Sequence, residues 1–466
     1  MSAVKIPEAS PKSRKVRCSR HLRVCTYDLS GRRESMQTLY EFWDWILRRC
    51  GVNHTSFEER AYYKTHCEKI ILSTTSVNHA PDLQPVVFLV AIFLLNFIAR
   101  IILSPLLPTI ERELAITHGQ AGFFFFLISA GYLIGLLGSG FFASRATHKR
   151  TIVVSSAGVG IALIGISLAT DLGAIRVGLI TLGLAAGLYI PSAIATITSV
   201  VRQPHWGKAI AVHELAPNLA FFTSPFFAEL FLKWATWRVA LGALGAASIL
   251  ASLAYHRYGR GGEFAGESPA SNAFGMLIRT PAFWLMVILF GLGVSSTIGV
   301  YAMLPLYLVS ARQMDPSWAN TVVALSRIHG PILGLVGGWV SDRLGPKRTM
   351  VVSLIFTGIV TLLLGVASGW RTSAVVLIQP LLAVWFFPAA FAALALITGP
   401  NARNLAVAFA VPFGFMIGAG GIPTFIGMMG DAGLFAQGFI IAGALITCGG
   451  IVALMLKLPG SGGKPA

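Results

Sequence analysis

From Val86 to about Leu456 the chain is a run of apolar stretches about twenty residues long, separated by short polar breaks. A helix needs roughly 20 apolar residues to cross a hydrocarbon core of about 30 Å. Within that core only helices and closed barrels satisfy every backbone polar group. Barrel strands read as segments of about ten residues with alternating polarity; these runs are solidly apolar, so the spans are expected to be α-helical. A hydrophobic content of 55%, a charged content of 12% and a mean hydropathy of +0.71 exclude an ordinary soluble fold. Spans fall at about 86–107, 119–142, 150–170, 175–198, 208–232 and 238–256, then 282–309, 318–341, 348–368, 371–398, 402–430 and 433–456. The expected fold class is an all-α membrane protein with twelve transmembrane helices in two six-helix bundles, 86–256 and 282–456. Residues 257–281 form a glycine-rich polar linker, 1–85 a polar basic extension and 457–466 a short tail.

The formal charge is +17, with 36 Lys+Arg against 19 Asp+Glu. In a soluble protein that excess would suggest nucleic acid. Here it sits in loops, where it orients the chain in the bilayer, and nucleic-acid binding is excluded. After residue 85 there are 22 Lys and Arg: two lie inside spans, fourteen on one side and six on the other. The positive-inside rule places the fourteen in the cytoplasm, so both termini are expected inside and the protein in the cell (inner) membrane. Four of the five cysteines lie in the first 85 residues and imply no disulfide framework, and their spacing with nearby histidines fits no zinc pattern. No secretory signal peptide is expected there. Met36, Leu39, Tyr40, Trp43, Ile46 and Leu47 follow helical spacing, which predicts a short amphipathic helix on the inner leaflet. An anchoring or regulatory role and a dispensable extension both stay open.

The two sets of six helices are related by a repeat. Lys149-Arg150-Thr151-Ile152-Val153-Val154-Ser155 matches Lys347-Arg348-Thr349-Met350-Val351-Val352-Ser353 in six of seven residues at an offset of 198. Gly140 and Gly338, Arg145 and Arg343, and Pro225 and Pro423 keep that offset. Parallel six-helix repeats are related by a pseudo-twofold along the membrane normal and enclose a cavity that opens alternately to either side. The loop Gly338-Trp339-Val340-Ser341-Asp342-Arg343-Leu344-Gly345-Pro346-Lys347-Arg348 resembles the signature loop of the major facilitator superfamily. Its first-half counterpart keeps Gly140, Arg145, Lys149 and Arg150 but has Ser144 for the Asp and Thr147 for the second Gly. The resemblance covers about residues 86–456 and implies a secondary transporter with no nucleotide or cofactor; the loops carry no nucleophile, metal or nucleotide constellation, so neither a bound metal nor enzymatic activity is expected. It also implies a cytoplasmic gate of Gly338, Asp342, Arg343, Gly345, Lys347, Arg348 and Arg145. Gly338 would permit close helix approach, Gly345 a tight turn, and Asp342 would accept from Arg343 or a helix N-terminus. The alternative is that these basic residues only set topology.

A charge near the bilayer centre costs at least about 2.5 to 3.5 kcal/mol on insertion scales and survives where it faces a cavity or partner. Counting helical rise from the span ends brings Arg100 of the first half and Arg327 of the second to similar depth. Neither has a basic counterpart at the repeat offset. Two guanidiniums, one from each half, form a candidate clamp for a carboxylate or other oxyanion. Asn96 and Tyr301 are candidate companions. Asn96-Phe97-Ile98-Ala99-Arg100 resembles the first helix of organic-anion and anion:cation transporters, in which an Asp precedes the Arg where this chain has Ala99. For Arg100 a structural pairing and for His213–Glu214 an interfacial ion pair are the competing readings. The functional reading makes His213–Glu214 the carrier of a coupling proton. The expected partners are the bilayer and a small, anionic substrate, with the protein acting as a monomer. Proton-coupled or exchange transport of organic anions, export of hydrophobic cations, and a non-transporting sensor are the three readings carried forward.

Overall fold

The computed structural model describes residues 84–266, 279–456 and 458. Among them there are helices and no strands, and twelve helices are long and apolar enough to cross a membrane. In the first half these are α1 (Pro85–Leu114), α2 (His118–Arg145), α3 (His148–Leu168), α4 (Leu172–Val200), α5 (Gln203–Trp234) and α6 (Trp237–Tyr258). The second half holds α7 (Pro281–Ser310), α8 (Pro316–Leu344), α9 (Pro346–Val366), α10 (Trp370–Ile397), α11 (Ala406–Asp431) and α12 (Phe435–Ala453). Several starts are fixed by side-chain caps that occupy otherwise unpaired N–H groups. Thr117 and Gln120 make a capping box at α2. Thr147, Asp171, Thr236 and Asp315 cap α3, α4, α6 and α8.

Apolar side chains gain nothing by leaving lipid for another helix, so close backbone approach at small residues holds the bundles together. A Cβ at Gly131 would lie 2.1 Å from the Ile180 carbonyl oxygen, and one at Gly183 2.0 Å from that of Ile128, so α2 and α4 touch backbone to backbone. The repeat is visible in such seams. A Cβ at Gly160 would meet the Gly245 oxygen at 2.5 Å, joining α3 to α6. At Gly358, 198 residues on, it would meet the Gly443 oxygen at 2.8 Å, joining α9 to α12. Ser155 Oγ donates to the Ala185 carbonyl at 2.6 Å, and Ser353 Oγ to the Leu382 carbonyl at 2.7 Å.

Two regions add to the sequence expectation. The backbone keeps helical turns through Phe386–Phe415, yet the chain reverses within them, as the expected boundary between the tenth and eleventh spans requires. Phe290 packs its ring on Phe386 and Phe391 and also abuts Gly414. A straight helix would separate Phe391 from Gly414 by about 35 Å, so the chain doubles back between them. The first part of the linker, expected to be only a glycine-rich polar connection, is pinned to the α2–α3 turn. His148 N–H donates to the Phe264 carbonyl, Lys149 N–H to Gly262 and Gly266 N–H to Ala143, at 3.1, 2.8 and 2.9 Å. The N-terminal extension with its amphipathic segment and cysteines, the rest of the linker and most of the tail lie outside the described residues.

Candidate substrate site at the helix breaks

A proline removes the hydrogen bond to the carbonyl four residues before it. Pro105, Pro191, Pro217 and Pro331 therefore cannot donate to the carbonyls of Ile101, Gly187, His213 and Arg327; that of Arg327 accepts from Gly330 N–H at 3.0 Å in a tighter turn. The spans are interrupted at those levels: α1 at Ile102, α4 at Leu188, α5 at Glu214 and α8 over Ser326–His329. Two π-helical segments, Ser295–Gly299 in α7 and Met416–Gly421 in α11, join them. Such irregular backbone at membrane depth is tolerated where it lines a cavity or is buried in protein. Arg100, His213, Glu214 and Arg327 all lie at or beside these breaks.

Arg100 lines a narrow central cavity with Ser129 and Tyr132 of α2, Ile298 of α7 and Phe415 and Ala419 of α11. Its guanidinium carbon stands 4.6 Å from the Phe97 ring centroid and 4.5 Å from that of Tyr132. Its Nε has no partner. Arg327 lies 4.9 Å from the Phe221 centroid and 5.3 Å from that of Tyr301, and its Nη2 donates to the Thr297 carbonyl at 3.2 Å. Its Nε too is buried without a partner. Among the described residues neither arginine forms an ion pair. Phe97, Phe221 and Tyr301 make a continuous wall between them, with centroids 5.3 and 4.9 Å apart. Arg327 itself does not line the cavity that Arg100 lines; it touches Thr297, the neighbour of Ile298.

The other sequence candidates fall as follows. Asn96 donates from Nδ2 to the Ala186 carbonyl at 3.4 Å and so ties α1 to α4. Tyr301 is fully buried, its hydroxyl unpartnered and its carbonyl accepting from Ser104 Oγ at 2.7 Å. His213 is fully buried, stacked on Phe93 with centroids 4.4 Å apart. Its Nε2 lies 3.1 Å from the Tyr189 hydroxyl and its Nδ1 3.3 Å from Glu214 Oε1. The Tyr189 hydroxyl donates its one proton to the Leu89 carbonyl at 2.6 Å, so it accepts from His213 Nε2–H. The contact at Nδ1 then requires one further proton, held on the histidine or on Glu214. The pair shares a proton between a dry ring and a half-exposed carboxylate.

The sequence profile of the Major Facilitator Superfamily matches residues 89–383. The chain belongs to this superfamily. Within it, the chain is similar to the probable sulfoacetate transporter SauU of Cupriavidus necator, 24% identical over 398 residues, covering 78% of this chain and 91% of that protein. Among solved structures it resembles a bacterial homolog of the human lysosomal transporter Spinster in an inward-facing, occupied conformation. The TM-score is 0.69 and the identity 15%, with 82% and 97% of the two chains covered. A D-xylose–proton symporter aligns with TM-score 0.67 at 15% identity, covering 83% and 100%.

In this superfamily member the signature loop, expected to form a cytoplasmic gate, joins α8 to α9 with most of its charged residues at the surface. Asp342 and Arg343 are exposed, and Arg343 lies over Trp339 at 4.5 Å instead of donating to Asp342. Arg145 lies over Phe141 at 3.6 Å. Gly345 has φ of 85°, a conformation that suits glycine at the turn. A Cβ at Gly338 would meet open space; the close approach expected there occurs one residue earlier, where Gly337 abuts Trp385. Lys347 is half-buried and Arg348 exposed beside them.

Polar contacts between the halves gather at the opposite end. Asp431 of α11 accepts from Thr117 Oγ1 at 2.8 Å and from Gly119 N–H at 3.1 Å, at the N-terminus of α2. Glu229 of α5 accepts from Asn320 Nδ2 of α8 at 2.6 Å, and Ser317 Oγ also donates to it. The sequence marks Glu229 only as an acid near a span end and does not single out Asp431. Their partners lie between 88 and 314 positions away, beyond any local pattern.

Proposed function

We propose that this protein is a secondary transporter of a small organic anion, working by alternating access, with Arg100 and Arg327 holding the anion and the His213–Glu214 pair carrying a coupling proton. The observation that carries the reading is a buried guanidinium from each half, without an acid partner, on either side of one aromatic wall. A buried cation of this kind gains most from an oxyanion that accepts two parallel hydrogen bonds. The similarity to a probable sulfoacetate transporter supports an anionic substrate. The Glu229 and Asp431 contacts then close the outer face, the signature loop faces the cytoplasm, and both termini lie inside the cell membrane; the loop charge bias supports this orientation. The cavity volume is about 20 Å³, on the scale of one water, so the lining side chains must part to admit a ligand. Uptake of labelled sulfoacetate into proteoliposomes tests the reading. An imposed inward proton gradient is expected to drive accumulation, with Glu214→Gln abolishing the response to the gradient. Uptake of hydrophobic cations without any of anions overturns it.

A further inference from the structure

Charge balance at the same site narrows the ligand further. Arg100 and Arg327 are 8% and 4% exposed, deep enough that water screens them poorly. The rings of Phe97, Tyr132, Phe221 and Tyr301 attract the guanidiniums but carry no charge to cancel theirs. Glu214, at the break in α5, is engaged by His213. A histidine and a glutamate sharing one proton sum to zero whichever of them holds it. The centre of the protein therefore carries two uncompensated positive charges, one in each half. A monoanion cancels one of them and leaves the other buried and unpaired, the costly outcome for a desolvated ion.

We infer that the ligand is a small dianion with an oxyanionic group at each end, one end held by Arg100 of the first half and the other by Arg327 of the second. Spacing permits it. Steps of 4.6, 5.3 and 4.9 Å lead from the Arg100 guanidinium carbon through the Phe97 and Phe221 rings to that of Arg327, so the two are at most about 15 Å apart. The aromatic wall between them suits a short apolar spacer. Each guanidinium has an Nε–H free to donate. A ligand with two charged ends would join the two halves, whereas one with a single charge would hold to one half only. This inference rests on the reading that the cavity is an anion site.

The test is calorimetric binding to the purified, monodisperse protein at fixed ionic strength, comparing succinate and sulfoacetate with monomethyl succinate, a monoanion of similar size. One charge-assisted pair separates the two classes, so the dianions are expected to bind about 10- to 150-fold more tightly than the monoester. Arg327→Gln and Arg100→Gln should each bring succinate down to the level of the monoester. Arg→Lys at either position keeps the charge and should preserve part of the preference; it serves where a Gln variant does not remain monodisperse. Equal affinity of succinate and monomethyl succinate for the wild-type protein overturns the dianion while leaving anion transport standing. Binding of a hydrophobic cation with none of these anions overturns the anion reading itself.

Discussion

Arg100 and Arg327 were legible as candidates because a charge in an apolar run is rare and easily located. Their surroundings were not, since Tyr132 and Phe415 reach Arg100 from helices that come 32 and 315 residues later in the chain. Arg→Lys keeps the charge and loses the planar fork, so each change is expected to weaken anion binding about 10- to 150-fold. Arg→Ala should nearly abolish it. Isothermal titration on monodisperse variants checks both, and unchanged affinity in both Lys variants would leave the guanidiniums a purely structural role. The His213–Glu214 pair was legible as two adjacent titratable groups. Its orientation was not, because Tyr189, which fixes the proton on Nε2, comes from another helix, and nothing in the sequence pairs that tyrosine with His213.

Among elements, the spans and their order follow from apolar length, and the repeat from an identity that survives at an offset of 198. The breaks were less obvious, although four of them carry a local signal in a proline two or three residues downstream. In α8 that proline is Pro331, which cannot donate to the carbonyl of Arg327, so Gly330 N–H does so at 3.0 Å in a tighter turn. Pro331→Ala supplies an N–H that can bond that carbonyl in α-helical register and should straighten α8, lowering transport while the protein stays folded. Uptake rates set beside the monomer peak in gel filtration measure this, and wild-type uptake would show that the break is dispensable. The π-helical segment Ser295–Gly299 has no such signal: Gln379 donates to the Ser296 carbonyl at 2.7 Å and Arg327 to that of Thr297, and these distant side chains satisfy the altered backbone. The glycine seams bring a matched pair of expectations. Gly160→Ala and Gly358→Ala each force a methyl group into the facing helix, at a cost of about 1–3 kcal/mol. Thermal unfolding should begin several degrees lower in both variants; a loss in only one would mean that the repeated seam is not equally tight.

For the whole molecule, the sequence indicated two halves and a loop motif, and the structure adds that polar contacts between the halves gather at the end away from that motif. Asp431→Ala removes the acceptor of two donors at the start of α2, and Glu229→Ala removes the partner of Asn320. Each change should favour the conformation open at that end. A cysteine placed at Ser104 then reacts faster with a charged thiol reagent than in the parent, and an unchanged rate would deny the contacts a gating role. The central claim is that one anion is held by an arginine from each half. Affinity measured for wild type, Arg100→Lys, Arg327→Lys and the double variant tests it most directly, with the same dianion throughout. Residues that share a ligand are coupled by about 0.5–3 kcal/mol, so the double variant is expected to lose less than the sum of the single losses. Strictly additive losses, or a single variant that binds like wild type, would contradict the account.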